Sequence, residues 1–216
     1  MTRIEQTQRN RSRVLTAARR VFTACGYHAS TLEQIAAEAG FSKGVVYSQF
    51  DSKADLFLAL LDERIALRAS ENTELIDGLA GESGVAAVVD HAIREAQGDP
   101  SWMLLLLEFR VHAARNRELN ARYAAAHTRA VAGVASVFDA LYERAGQPPP
   151  FPPREMAELV YAIGGGAVLE QAADPDALQG PLLAEPLTRL TTQAPPSSEH
   201  NAPTSWEHTA RPRESL

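Results

Sequence analysis

Cysteine is almost missing: Cys25 is the one thiol in 216 residues. A single thiol excludes an internal disulfide framework and fits a reducing compartment. Long apolar runs are missing as well. The longest strongly apolar stretch, Trp102 to Leu107, stops at Glu108, far short of the roughly 20 residues that span a bilayer. The opening segment, MTRIEQTQRNRSR, has no apolar core, so no secretory signal is expected there. Alternating strand patterns of useful length are absent. So are clusters with metal-ligand spacing and any local motif of a nucleophilic triad. The chain therefore reads as an all-α, cytoplasmic protein without metal, cofactor, membrane span or enzymatic centre. Cys25 falls on the apolar stripe of the first helix and is expected to be buried.

The charge is uneven. The whole chain carries a formal net charge of -6, but residues 1–53 hold eight basic and four acidic side chains. That segment is thus +4 and the remainder -10, the asymmetry of a basic binding module on an acidic body. A solvated basic helix face gives the same count.

Local order in the first sixty residues is dense. Val14, Ala18, Val21, Phe22 and Cys25 recur at helical spacing, and Gly26 offers a stop. Thr31 with Gln34, or Ser30 with Glu33, forms a capping box for a second helix carrying Leu32, Ile35, Ala36 and Ala39. Gly40-Phe41-Ser42 is a tight turn, with Phe41 as an apolar plug and Ser42 as the next cap. A third helix, Lys43 to about Phe50, buries Val46 and Phe50 and shows Lys43, Gly44, Tyr47, Ser48 and Gln49 on its other side. Two short helices joined by a glycine turn make a helix-turn-helix. Ser52 with Asp55 caps a fourth helix with Leu56, Phe57, Leu60 and Leu61 as its buried stripe.

The run TLEQIAAEAGFSKGVVYSQFDSKADLF, residues 31–57, resembles the TetR family signature, roughly T-x-x-x-I-A-x-x-A-G-[VF]-S-x-G-x-[LIV]-Y-x-[HY]-F-x-[SN]-K-x-x-L. The resemblance covers about residues 10–60. Gln49 stands where the family often has His or Tyr, and Asp51 where Pro, Lys or Gly is common. These departures bear on the base sequence read, not on the fold. The resemblance implies an N-terminal three-helix DNA-binding domain, residues 1–53, and a larger helical ligand-binding and dimerisation domain, residues 54–192. It further implies a homodimeric repressor that a small-molecule effector releases from a palindromic double-stranded operator. In such a site Ser30, Thr31 and Lys53 would meet phosphates, and Tyr47 would give its hydroxyl to the DNA backbone or simply pack. Lys43 would donate to guanine and Gln49 pair with adenine or remain solvated. Val45 would touch a thymine methyl, Ser48 tolerate several bases, and Gly44 let the backbone close in, with Ser42 alongside. Arg3, Arg9, Arg11 and Arg13 form either an arm on the DNA or a solvated tail.

Farther along, helices are expected near 53–77, 84–97, 101–117, 119–146 and 154–172. In the third of these, Trp102, Leu105, Glu108, Phe109 and His112 suggest an aromatic pocket with a carboxylate, which needs a partner if buried. His112, Arg115 or a cationic ligand could supply it; a core helix with a solvated Glu108 is the alternative. Tyr123 and His127, and His91 with Glu95 one turn on, are further candidates. The helices 119–146 and 154–172 are expected to pair across a two-fold axis. Gly164-Gly165-Gly166, costly in a helix, would permit that close approach or break the helix. Residues 193–216 read as a disordered tail holding His200, Trp206 and His208.

Overall fold

The computed structural model describes residues 2–193; the tail residues 194–216, with His200, Trp206 and His208, lie outside the described residues. Among the described residues nine α-helices and no strand occur. They are α1 (Arg3–Ala29), α2 (Leu32–Ala39), α3 (Lys43–Tyr47), α4 (Lys53–Leu75), α5 (Gly81–Gly98), α6 (Pro100–Ala114), α7 (Arg117–Ala145), α8 (Pro153–Ala173) and α9 (Gly180–Thr192).

The caps explain most boundaries. Thr31 accepts from the Gln34 amide while the Gln34 side chain takes the Thr31 amide, so the Thr31 register of the box holds. Gly40 closes α2 in the left-handed region at φ 71°, and its N–H and that of Phe41 bond back to carbonyls of the last turn. Ser52, Asp99 and Asn116 accept from the third amide of α4, α6 and α7. Ser42 makes no such bond, so α3 is uncapped and shorter than expected.

Four expectations change. The segment expected as an arm or a tail is helical, since α1 runs from Arg3, and two of its arginines meet the head: Arg11 lies over the Phe50 ring, and Arg13 stacks on Phe41 and donates to the Ala39 carbonyl. Cys25 is exposed, because Gly26 (φ 78°) breaks the helix after it and Tyr27 fills the core instead. The glycine triplet neither breaks α8 nor meets a neighbour within the chain: a Cβ at Gly164, Gly165 or Gly166 would touch nothing within 4 Å. Helix α9 was not expected. Pro181 and Pro186 mask it, although Leu183, Leu187 and Leu190 keep helical spacing.

Two cores form. The first joins α1–α3 and the first half of α4 to α6 and the start of α7, through Phe22, Tyr27, Phe57, Trp102, Phe109 and Tyr123. The second joins α5, the rest of α7, α8 and α9, through Val85, Phe138, Leu141, Met156 and Leu187. The helix-turn-helix thus shares its core with α6. Helix α7 bridges both cores, and its seam residues Val131, Val134, Phe138 and Leu141 are buried inside the chain. They are spent there, not on a second copy.

Helix α5 docks on α7 at Gly84, where an added Cβ would collide with the Leu141 side chain. Leu141 is fully buried, so it has little room to yield. Gly84→Ala should lower stability by about 1–3 kcal/mol, the usual cost of overpacking, read as an earlier midpoint in urea unfolding. An unchanged midpoint would show that α5 and α7 can separate freely.

Candidate DNA-binding face and ligand cavity

Helices α2 and α3 present a polar face. Thr31, Ser42, Lys43, Gly44, Tyr47 and Ser48 are exposed, and Val45 is half-buried among them. Glu33 on α2 organises this face: Lys43 Nζ donates to its Oε1 at 3.1 Å and the Tyr47 hydroxyl to the same oxygen at 3.4 Å. Its own backbone amide and Lys43 hold the Glu33 carboxyl below the usual carboxylate range. The pair therefore holds Lys43 and Tyr47 side by side in the free protein.

Three residues expected on this face point elsewhere. Ser30 is buried, and its hydroxyl donates to the Gly26 carbonyl. Gln49 folds back, its amide donating to the Val45 carbonyl at 3.2 Å, while its Oε1 is buried with no hydrogen-bond partner among the described residues. The Lys53 ammonium turns inward to three carbonyls, of Tyr27 (2.6 Å), Ser30 (2.8 Å) and His28 (3.1 Å), and lies over the Tyr27 ring. Burial lowers its pKa, and Glu108 opposes that shift. The kink at Gly26 leaves these carbonyls without helical partners, so a cation is drawn to them rather than to a phosphate.

The amides freed by the same kink are met from the body. Glu108 on α6 accepts from Tyr27 N at 3.0 Å and His28 N at 3.1 Å, one through each carboxylate oxygen. That is the partner its sequence position demanded, and it is backbone rather than His112 or Arg115. Phe109 is fully buried with its ring 4.9 Å from Tyr27, His112 packs on Tyr27 and His28, and Leu105 is buried in the same core. Asp99, the α6 cap, bonds Arg19 at 2.6 Å. Burial, with Asp55 and Glu108 nearby, pushes the Tyr27 phenol up to about 12. Leu105, Glu108, Phe109 and His112 thus form a joint between head and body, not a pocket wall.

The cavity lies on the other side of α6. It measures about 140 Å³, and its walls include Leu61, Ile65, Trp102, Met103, Leu106 and Tyr161. Of the expected ligand residues, Trp102 and Tyr123 line it, and His127 and Glu95 join them. Burial, then the Arg110 guanidinium, pushes His127 below its ordinary range. Three cations escaped the sequence reading: Arg64, Arg68 and Arg110. The signal was present, since Arg64 and Arg68 stand one turn apart beside Leu61 and Ile65 on α4. Among the described residues no group of acidic, histidine and cysteine side chains could hold a metal, and no helix is long and apolar enough to cross a membrane.

Head, joint and cavity define an all-α protein with a helix-turn-helix mounted on a cavity-bearing helical body. Residues 14–60 match the family model of bacterial regulatory proteins, tetR family. Residues 81–192, just over half of the chain, match that of the BetI-type transcriptional repressor, C-terminal. The chain belongs to the TetR family of bacterial regulatory proteins. It is similar to the transcriptional activator FasR of Mycolicibacterium smegmatis, 46% identical over 55 residues, 26% of this chain and 25% of that one. It is also similar to the regulator TtgR of Pseudomonas putida, 38% identical over 81 residues, 35% of this chain and 38% of that one. The matches therefore span a quarter to two-fifths of these relatives' lengths. The fold resembles that of FadR from Bacillus subtilis in complex with stearoyl-CoA (TM-score 0.69, 19% identity, covering 84% of this chain and 97% of FadR). It likewise resembles a regulator-like protein from Saccharomonospora viridis in complex with choline (TM-score 0.64, 19% identity, 85% and 95% covered). At these identities the likeness is one of fold.

Lys53→Met removes the donor from three carbonyl contacts, two of them part-buried. Stability should fall by about 1–3 kcal/mol, measured by chemical denaturation. The salt dependence of DNA binding should stay the same, because no phosphate contact is lost. A salt slope reduced by about one unit with unchanged stability would return Lys53 to the DNA.

Proposed function

We propose that this chain is a homodimeric, DNA-binding transcriptional regulator, a repressor that a small molecule releases from a palindromic operator. One observation carries the reading: α6 lines the cavity with Trp102, Met103, Leu106 and Arg110 and holds the head with Glu108 and Phe109. A ligand that favours a shifted α6 therefore also favours a shifted α1, and the two states trade populations. On the DNA side Lys43, Gly44, Val45, Tyr47 and Ser48 supply the groove-facing surface, with Ser42 and Thr31 at its edge. Gln49 would join them only by leaving the Val45 carbonyl.

For the dimer, exposed leucines favour α8 and α9: Leu169 and Leu190 are each 51% exposed and Leu182 is 70% exposed. Such residues on adjacent helices suit an isologous contact with a second copy. Helix α7, expected to share this role, supports α8 from inside. Soluble, cytoplasmic action goes with this reading. The sign of regulation depends on where the operator lies, and the similar FasR is an activator.

Selection of duplexes from a random pool by the full chain tests the reading. Two inverted half-sites, centred about 10–10.5 base pairs apart or a multiple of that, are expected. Enriched sites without two-fold symmetry would remove the dimer, and no enrichment would remove DNA recognition. Glu33→Gln should raise affinity for random-sequence DNA about two- to five-fold at low salt by freeing Lys43 and removing a nearby negative charge. Fluorescence anisotropy reads this directly, and an unchanged affinity would take Lys43 off the DNA.

A further inference from the structure

Charge around the cavity is unbalanced. Arg64 Nη2 and Arg68 Nη2 donate to the same oxygen of Glu95, Oε2, at 2.7 and 2.8 Å. Glu71 Oε2 stands 3.7 Å from Arg68. The other Arg68 nitrogen, Nη1, stands 3.0 Å from His91 Nε2. Arg110 lines the same cavity and has no ion-pair or hydrogen-bond partner among the described residues. His127 adds no charge near neutrality, since burial and Arg110 lower its pKa. Farther out, Arg154 and Glu158 satisfy each other. Three guanidiniums thus face two carboxylates, an excess of one positive charge. Arg64 and Arg68 are mostly shielded, with side chains 19% and 22% exposed, whereas the unpaired Arg110 is exposed, so solvent and salt screen part of the excess.

Most of the remaining lining is apolar and continues past the arginines. A second cavity of about 90 Å³ shares Arg68, Met103, Tyr161 and Gly165 with the first and adds Val88, Ala92, Val134, Val160, Gly164 and one buried polar residue, Asn72. Gly164 and Gly165 face open space, so the absence of side chains there keeps this chamber clear.

We infer that the cavity takes an apolar monocarboxylate, its carboxylate held by Arg110 with Arg64 and Arg68 and its chain reaching past Gly165 into the second chamber. The planar fork of a guanidinium matches a carboxylate in charge and geometry. A quaternary ammonium would find aromatic rings in Trp102, Tyr123 and Tyr161 but would enter a field of its own sign. A dianionic phosphate exceeds the single charge on offer. The inference rests on the sensor reading proposed above and names its ligand class.

Calorimetric titration of the full chain with octanoate, octyl phosphate, octyltrimethylammonium and octanol tests it. Octanoate should bind at least about tenfold more tightly than the other three. Arg110→Met, at an exposed and unpaired position, should weaken octanoate about tenfold and leave the melting temperature and octanol binding unchanged. Glu95→Gln should tighten octanoate a few-fold by releasing Arg64 and Arg68. The inference is overturned if octyl phosphate or octyltrimethylammonium binds as well as octanoate, or if Arg110→Met leaves octanoate unaffected. If one of those two binds and lowers affinity for the selected duplex, the sensor reading stands without this class. If none of the four binds, this class falls. If Gly165→Phe, which fills the chamber, then also leaves duplex binding responsive to host-cell metabolite extract, the cavity itself loses its sensing role.

Discussion

A helix that breaks one turn before its end strands its own polar groups. Gly26, at φ 78°, does this to α1: the amides of Tyr27 and His28 and the carbonyls of Tyr27, His28 and Ser30 all need outside partners. Glu108 answers the amides and Lys53 the carbonyls, and the two charges approach through five backbone groups of one segment. The head cannot pivot on the body without exposing some of these groups or finding them new partners. Since a buried unpaired group costs about 1–3 kcal/mol, intermediate head positions are disfavoured and a few discrete ones are preferred. Recognition of DNA, the joint and the cavity all depend on this requirement.

Helix α6 suits its place between them because it is apolar nearly all round. Trp102, Met103, Leu106 and Leu107 border the cavity, while Leu105, Phe109 and Ala113 pack in the core beneath α1. Even its exposed strip carries apolar side chains, Leu104 and Val111. Its polar exceptions sit at the ends of the interaction: Asp99 on Arg19, Glu108 on the kink, Arg110 at the cavity.

Short-range features were legible in the chain. The Thr31 box, the Gly40 turn, the Ser52 cap and the exposed face from Ser42 to Ser48 all follow from residues within a few positions of each other. What escaped depended on distance. Lys53 reads as a surface cation because nothing near it in sequence reveals three carbonyls some 25 positions earlier. Glu108 was recognised as needing a partner, yet that partner was created by a glycine about 80 positions away. Leu105, Phe109 and His112 were placed in a pocket wall because α6 has two apolar faces and periodicity cannot say which faces what. Trp102 and Tyr123, at the junction of both, line the cavity.

The split across α6 has a consequence for how such a protein changes over generations. Residues that would select a ligand, such as Met103, Leu106 and Arg110, share no hydrogen bond with Glu108 or the segment it holds. Substitutions among them can retune what the body admits while the geometry offered to DNA is inherited intact. One helix thereby lets chemical taste drift under selection without renegotiating the address on the chromosome.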